Sequence, residues 1–167
     1  MNATCTITWL SARVNAVLQF GDPEHYTEAI CLCEKLKANI TSYNNFAMED
    51  LLIYEGHEIL YNRTSTLHTD SSDPQNGWAI LTAFGTFKGG YIWLPNLGLY
   101  IRLEPGDTIT LWGWVIPHEV EAWDGGQHIS IPHFTHSVWR SMGFTSVFTF
   151  WFTPRILLIT SPLATVI

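Results

Sequence analysis

The sequence predicts a mainly β domain preceded by helices, its short strands closed into a sandwich or barrel by Greek-key connections. Three observations carry this expectation. The 167 residues suit one domain of ordinary size, and at 47% hydrophobic and 14% charged they exclude a disordered chain. Aromatic residues reach 14%, with most of the eight Trp lying after residue 77, as a sheet-rich fold with a lined interior requires. After Asp50 the pattern changes from helical spacing to short apolar runs separated by turn residues.

The first fifty residues read as helical. A weaker helix is expected from about Thr8 to Gln19. A second starts at Asp22-Pro23, an N-cap followed by proline at the first helical position, and Ala29, Ile30, Cys33 and Leu36 then recur at helix spacing. Strand-sized runs follow at Leu51–Tyr54, Glu58–Asn62, Trp78–Phe84, Gly90–Leu94, Tyr100–Leu103, Thr108–Trp112, His118–Trp123 and His128–Phe134. Between them stand Gly56, Asp73-Pro74-Gln75-Asn76-Gly77, Lys88-Gly89, Pro95-Asn96, Pro105-Gly106-Asp107 and Asp124-Gly125-Gly126, which are turn residues. From Thr145 to Ile167 only Arg155 is charged, a length that suffices to cross a bilayer. Pro154, Pro162 and five Thr oppose a helix there. The expectation is therefore a last buried strand over Val147–Phe152, an apolar tail, and no membrane contact. The chain divides into a helical segment packing on the core at 1–50, a β domain at 51–152 and the tail at 153–167.

Fifteen acidic residues against eight Lys and Arg give a formal charge of −7, which excludes a generic basic nucleic-acid binder. Cys5, Cys31 and Cys33 lack the second ligand pair of a zinc site and imply no disulfide framework. No basic segment followed by an apolar run marks a leader, so an intracellular compartment is expected.

His68-Thr69-Asp70 is the first group able to carry chemistry, and His118 heads another strand 47 intervening residues later. On a strand, the two ends of H-x-D leave the same face. Two imidazoles and one carboxylate form the facial set that holds non-haem Fe(II) and leaves positions open. Alone, H-x-D is a common chance pattern. Here it stands after the Glu58–Asn62 strand and is followed in order by Gly89-Gly90, Leu94-Pro95-Asn96-Leu97-Gly98, the Pro105-Gly106-Asp107 turn, His118 with Val120 and Trp123, and Gly125-Gly126-Gln127.

With Asn62-Arg63 ahead of His68, this order over about Asn62 to Trp139 resembles the TET/JBP-like branch of the Fe(II)/2-oxoglutarate dioxygenases, in the form found in fungal genomes. The resemblance implies a double-stranded β-helix (jelly-roll) dioxygenase core. It implies that His68, Asp70 and His118 bind Fe(II), and that 2-oxoglutarate chelates the iron while its far carboxylate meets an Arg in an R-x-S pattern. That position is His128 here, with Ser130 retained. The cosubstrate site implied is thus His128, Ser130, Asn62, Arg63 and Arg102. An imidazole lacks the permanent charged fork of Arg. Three outcomes stay open: His128 is protonated by the cosubstrate's charge, Arg63 or Arg102 reaches in, or 2-oxoglutarate is no longer used.

The chemistry implied consumes dioxygen and 2-oxoglutarate, releases CO₂ and succinate, and hydroxylates a C–H bond without a protein acid–base pair. The substrate implied is the methyl group of a modified DNA or RNA base, and the location implied is the nucleus. Between His57 and Arg140, however, four basic residues face eight acidic ones, so no basic stripe supports duplex binding. A non-catalytic protein of the same fold, and a cupin-type iron protein without 2-oxoglutarate, remain as alternatives. His133 and His136 read as satisfied polar residues, His25 and His57 as surface or helix residues, and Asp107 as a turn residue. Trp78, Trp93, Trp112 and Trp114 read as barrel core.

Overall fold

The structure is a computed structural model, and it describes residues 3–41, 43–44, 52–137 and 159–160. Helix α1 spans Ala3–Gly21 and α2 spans Pro23–Asn39. The first is longer than the sequence predicts. Leu10, Val14, Val17 and Leu18 form a buried stripe at helix spacing, facing Ala29 and Cys33 of α2, so tertiary packing supplies what local propensity lacks. At the start of α2, Asp22 caps the helix by accepting from the His25 N–H at 2.9 Å. Its second oxygen accepts from Trp78 Nε1 at 3.0 Å, which ties the helix junction to the β domain.

The run Leu51–Tyr54 is not a strand over its described part. Leu52, Ile53 and Tyr54 are buried against the helices as irregular backbone. Helix side chains take up its main-chain groups: the Ile53 N–H donates to Asn15 Oδ1 at 3.2 Å and its carbonyl accepts from Cys33 Sγ at 3.0 Å. Apolar content fitted a strand, but the partners came from the helices.

The strands are β1 Gly56–His57, β2 Leu60–Tyr61, β3 Ser65–His68, β4 Ala79–Gly85, β5 Lys88–Gly89, β6 Tyr91–Leu94, β7 Leu99–Arg102, β8 Thr108–Leu111, β9 His118–Val120, β10 Trp123–Asp124, β11 His128–Phe134 and β12 Ile159–Thr160. They form two main antiparallel sheets. The larger has the order β1-β11-β4-β8-β12, with β2 also on β11, and the smaller has the order β3-β9-β6-β7. A ribbon of β5 and β10 lies beside them. The chain passes repeatedly between the two sheets in the manner of a double-stranded β-helix.

Strand alternation sorts the core into two shells. Ala83, Ile109 and Leu111 of the larger sheet share a cluster with Ile92, Leu94 and Ile101 of the smaller, which fills the space between the sheets. From the opposite face of the larger sheet, Ile80, Phe84 and Ile131 join the helices. The order of layers is helices, larger sheet, smaller sheet. Thr82 and Thr108, both fully buried on the helix-facing side, satisfy each other at 3.1 Å.

This layering corrects the reading of the Trp residues as barrel core. Trp78 and Trp112 pack with the helices. Trp93 alternates with the buried Ile92 and Leu94, so it faces outward, stacked on Tyr100 with ring centroids 4.1 Å apart. Trp114 is half-buried. The expected strand Val147–Phe152 lies outside the described residues, while Ile159–Thr160 of the tail pairs with Ile109 and Thr108. Among the described residues no helix is long and apolar enough to cross a membrane.

Candidate metal centre

Strand pairing assembles the centre. In the β3/β9 register His68 stands opposite His118, and the two rings lie 4.3 Å apart. His118 shares its strand face with Val120, which packs against the cluster between the sheets, so the His118 side chain points inward. Asp70 lies two residues beyond the end of β3, where its N–H donates to the Gly113 carbonyl at 2.9 Å. The expectation of H-x-D within a strand is thus corrected: the strand ends at His68, and the Gly113 backbone holds the carboxylate in place. His68 Nε2 stands 3.5 Å from Asp70 Oδ1, and His118 Nε2 stands 3.8 Å from Asp70 Oδ2. One ligand atom from each residue falls within 4.8 Å of the others.

The proton positions follow from the partners. His68 Nδ1 lies 2.7 Å from the Thr66 carbonyl and His118 Nδ1 lies 3.0 Å from the Ile116 carbonyl. A carbonyl only accepts, so each Nδ1 carries a hydrogen and each ring turns its Nε2 toward the carboxylate. Burial holds the His118 pKa below its ordinary value, against the opposing pull of the Ile116 hydrogen bond and the Asp70 charge. Two ring nitrogens and a carboxylate therefore converge on one point at separations long for hydrogen bonds, as the ligands of a cation do. The three residues fit a divalent metal, with the Thr66 and Ile116 carbonyls as the outer contacts that fix the tautomers.

Gly113 is a site residue that sequence reasoning missed. A methyl group at this buried position would overlap the Asp70 carboxylate. Only glycine leaves room for the ligand. The signal available in the sequence was a glycine between two Trp at the end of a strand, which spacing alone does not interpret.

His128 and Ser130 open β11 and are both buried on one face. The alternate residue Ile131 packs with the helices, so His128 and Ser130 face the space between the sheets, as His118 does. Trp123 stacks on the His128 ring at 4.5 Å and Phe87 meets it edge-on at 4.3 Å. His128 Nδ1 is buried with no hydrogen-bond partner among the described residues. Burial lowers the His128 pKa, so the ring is held neutral. Asn62, at φ 49°, clamps the His128 backbone: its N–H donates to the His128 carbonyl at 2.7 Å, and its Oδ1 accepts from the His128 N–H at 2.8 Å.

The arginines stand elsewhere. Arg63 is exposed, 4.0 Å from Glu58, and Arg102 is exposed and paired with Glu104. Arg102 also alternates with Ile101 of the core and so leaves the outer face of its sheet. Of the candidate residues, the fold gathers His68, Asp70 and His118, and it turns His128 and Ser130 toward the same interior. His133 is buried on the helix-facing side with Nδ1 3.2 Å from the Ile80 carbonyl. Asp107 closes its turn by accepting from the Glu104 N–H at 2.9 Å.

No protein-family model and no curated protein matches the chain. Among solved structures, that of NgTET1 in complex with 5mC DNA is similar, with a TM-score of 0.65 and 17% identity. The match covers 79% of this chain and 49% of that one, so this chain spans about half the neighbour's length. At this identity the likeness concerns the fold alone, a jelly-roll core, in which this chain places a His-His-Asp cluster that could hold a metal ion.

Proposed function

We propose that the chain is an Fe(II)-dependent oxygenase that uses a 2-oxo acid and dioxygen to hydroxylate a C–H bond. The carrying observation is the gathering of His68, Asp70 and His118 in a jelly-roll fold, with one ligand atom from each within 4.8 Å of the others and each histidine Nδ1 turned to a backbone carbonyl. A ferrous ion there supplies oxygen activation coupled to loss of CO₂ from the 2-oxo acid, with one oxygen atom entering the resulting acid and the other the substrate. His68, Asp70 and His118 are its ligands. Thr66, Ile116 and Gly113 fix their orientation through the backbone. His128 and Ser130 are the polar residues that meet the far end of the cosubstrate, and Asn62 holds His128 for that role. For 2-oxoglutarate the metal half fits but the far half does not: its second carboxylate needs a cation, and the described strand-region cations Arg63, Lys88 and Arg102 are all exposed.

The proposed substrate class is a modified pyrimidine base, supported by a motif order that resembles that of TET/JBP-like dioxygenases and by the neighbour's complex with 5mC DNA. The charge of −7 favours a free nucleoside over a phosphate-bearing strand. One observation favours a second, non-catalytic reading: a neutral histidine at the anchor. The test is CO₂ release from a panel of 2-oxo acids with Fe(II) and dioxygen, wild type against His68→Ala. Release that the variant lacks is the expected result. Equal background from both proteins supports the non-catalytic reading.

A further inference from the structure

The chemistry around His128 departs from what a doubly charged cosubstrate needs. Its imidazole lies between the face of Trp123 and the edge of Phe87, 2% exposed, with Nδ1 unpartnered among the described residues. A buried polar atom without a partner is costly, and one that a protein keeps calls for a group to complete it, such as a ligand, an ion or a water. Its outlook is the space between the sheets that His118 also faces, and Ser130, buried on the same strand face, adds a hydroxyl beside it. Among the described residues, no cationic side chain accompanies them. Lys88 and Asp124, cross-strand partners on the flanking ribbon, are both exposed, and Arg63 and Arg102 are engaged with Glu58 and Glu104. Burial holds the imidazole itself neutral. A carboxylate placed here would lose its hydration and gain one neutral hydrogen bond in an aromatic box, whereas an uncharged group would lose little and gain the same bond.

We propose that the cosubstrate slot of this centre selects 2-oxo acids with an uncharged far end, held by a single hydrogen bond to His128 between Trp123 and Phe87, over the dianion 2-oxoglutarate. This rests on the oxygenase reading above. The slot then admits a monoanion whose only carboxylate goes to the metal, and Trp123 and Phe87 supply contact area to an apolar or weakly polar tail.

The test compares two probes that differ in that charge and in one methyl group, 2-oxoglutarate and its 5-monomethyl ester, each titrated anaerobically into the Fe(II)-loaded protein. The readout is the visible charge-transfer band of a metal-chelated 2-oxo acid, with ferrous uptake followed separately by calorimetry. The expected result is an ester affinity at least about tenfold above that of 2-oxoglutarate, the scale of one charge-dependent hydrogen bond. His128→Arg should reverse the order, and the neutral His128→Gln should keep it. Tighter binding of 2-oxoglutarate by the wild-type protein overturns the selectivity while leaving the oxygenase reading standing. Ferrous uptake with no band from either probe overturns the oxygenase reading and the selectivity with it.

Discussion

Asp70 shows how closely the centre depends on single atoms. Its carboxylate sits against the Gly113 backbone where no Cβ fits, so Gly113→Ala should displace the ligand while the fold persists. The expected loss is about 10- to 100-fold in metal affinity, as for other outer-contact changes, with an unaltered circular dichroism spectrum. Neighbouring Asp73 is buried, and burial, with repulsion from Asp70 and Glu55, pushes its pKa from 3.8 up to about 7. The native state therefore keeps a proton that the unfolded chain loses. Its stabilising contribution is full below about pH 4 and is lost as pH rises through about 7. Metal-free protein should lose a few kcal/mol of stability across that window by chemical denaturation, and Asp73→Asn should flatten the profile. The gathering of His68, Asp70 and His118 was legible in the sequence because their residue types and order point to one cluster. The clearance at Gly113 was not, since it depends on a backbone that spacing does not describe. Nor did sequence decide among the three fates open to His128. Burial now argues against protonation, and Arg63 and Arg102 are both exposed, Arg102 on the outer face of its sheet.

At the scale of elements, β11 matches its expected His128–Phe134 bounds because alternation, turn residues and length agreed. The run Leu51–Tyr54 misled because apolar content is the same for a strand and for a buried connection, and the deciding partners, Asn15 and Cys33, are distant in sequence. Asp22 joins two elements, capping α2 and accepting from Trp78. Asp22→Ala should therefore cost about 2–3 kcal/mol, a cap plus one buried partner, measured by urea unfolding. Because the helices lie on the opposite side of the larger sheet from the centre, ferrous affinity should be unchanged in that variant under native conditions. A parallel loss of metal binding would contradict the layered arrangement.

Across the whole molecule, a helix layer covers one face of the larger sheet while the smaller sheet covers the other, so that His118 and His128 face the interior between the sheets, with the half-buried Asp70 and the exposed His68 beside His118. The charge of −7 gives such a surface little hold on phosphates. Duplex DNA should accordingly show no binding at physiological salt, and a salt slope of several released counterions would contradict that expectation. The central claim is narrower than any substrate: His68, Asp70 and His118 make one divalent metal site. Anaerobic calorimetric titration of the full chain with Fe(II) tests it most directly. The account predicts uptake of a single ion that vanishes in Asp70→Ala, and equal uptake by the wild type and by a variant with all three ligands replaced by Ala would contradict it.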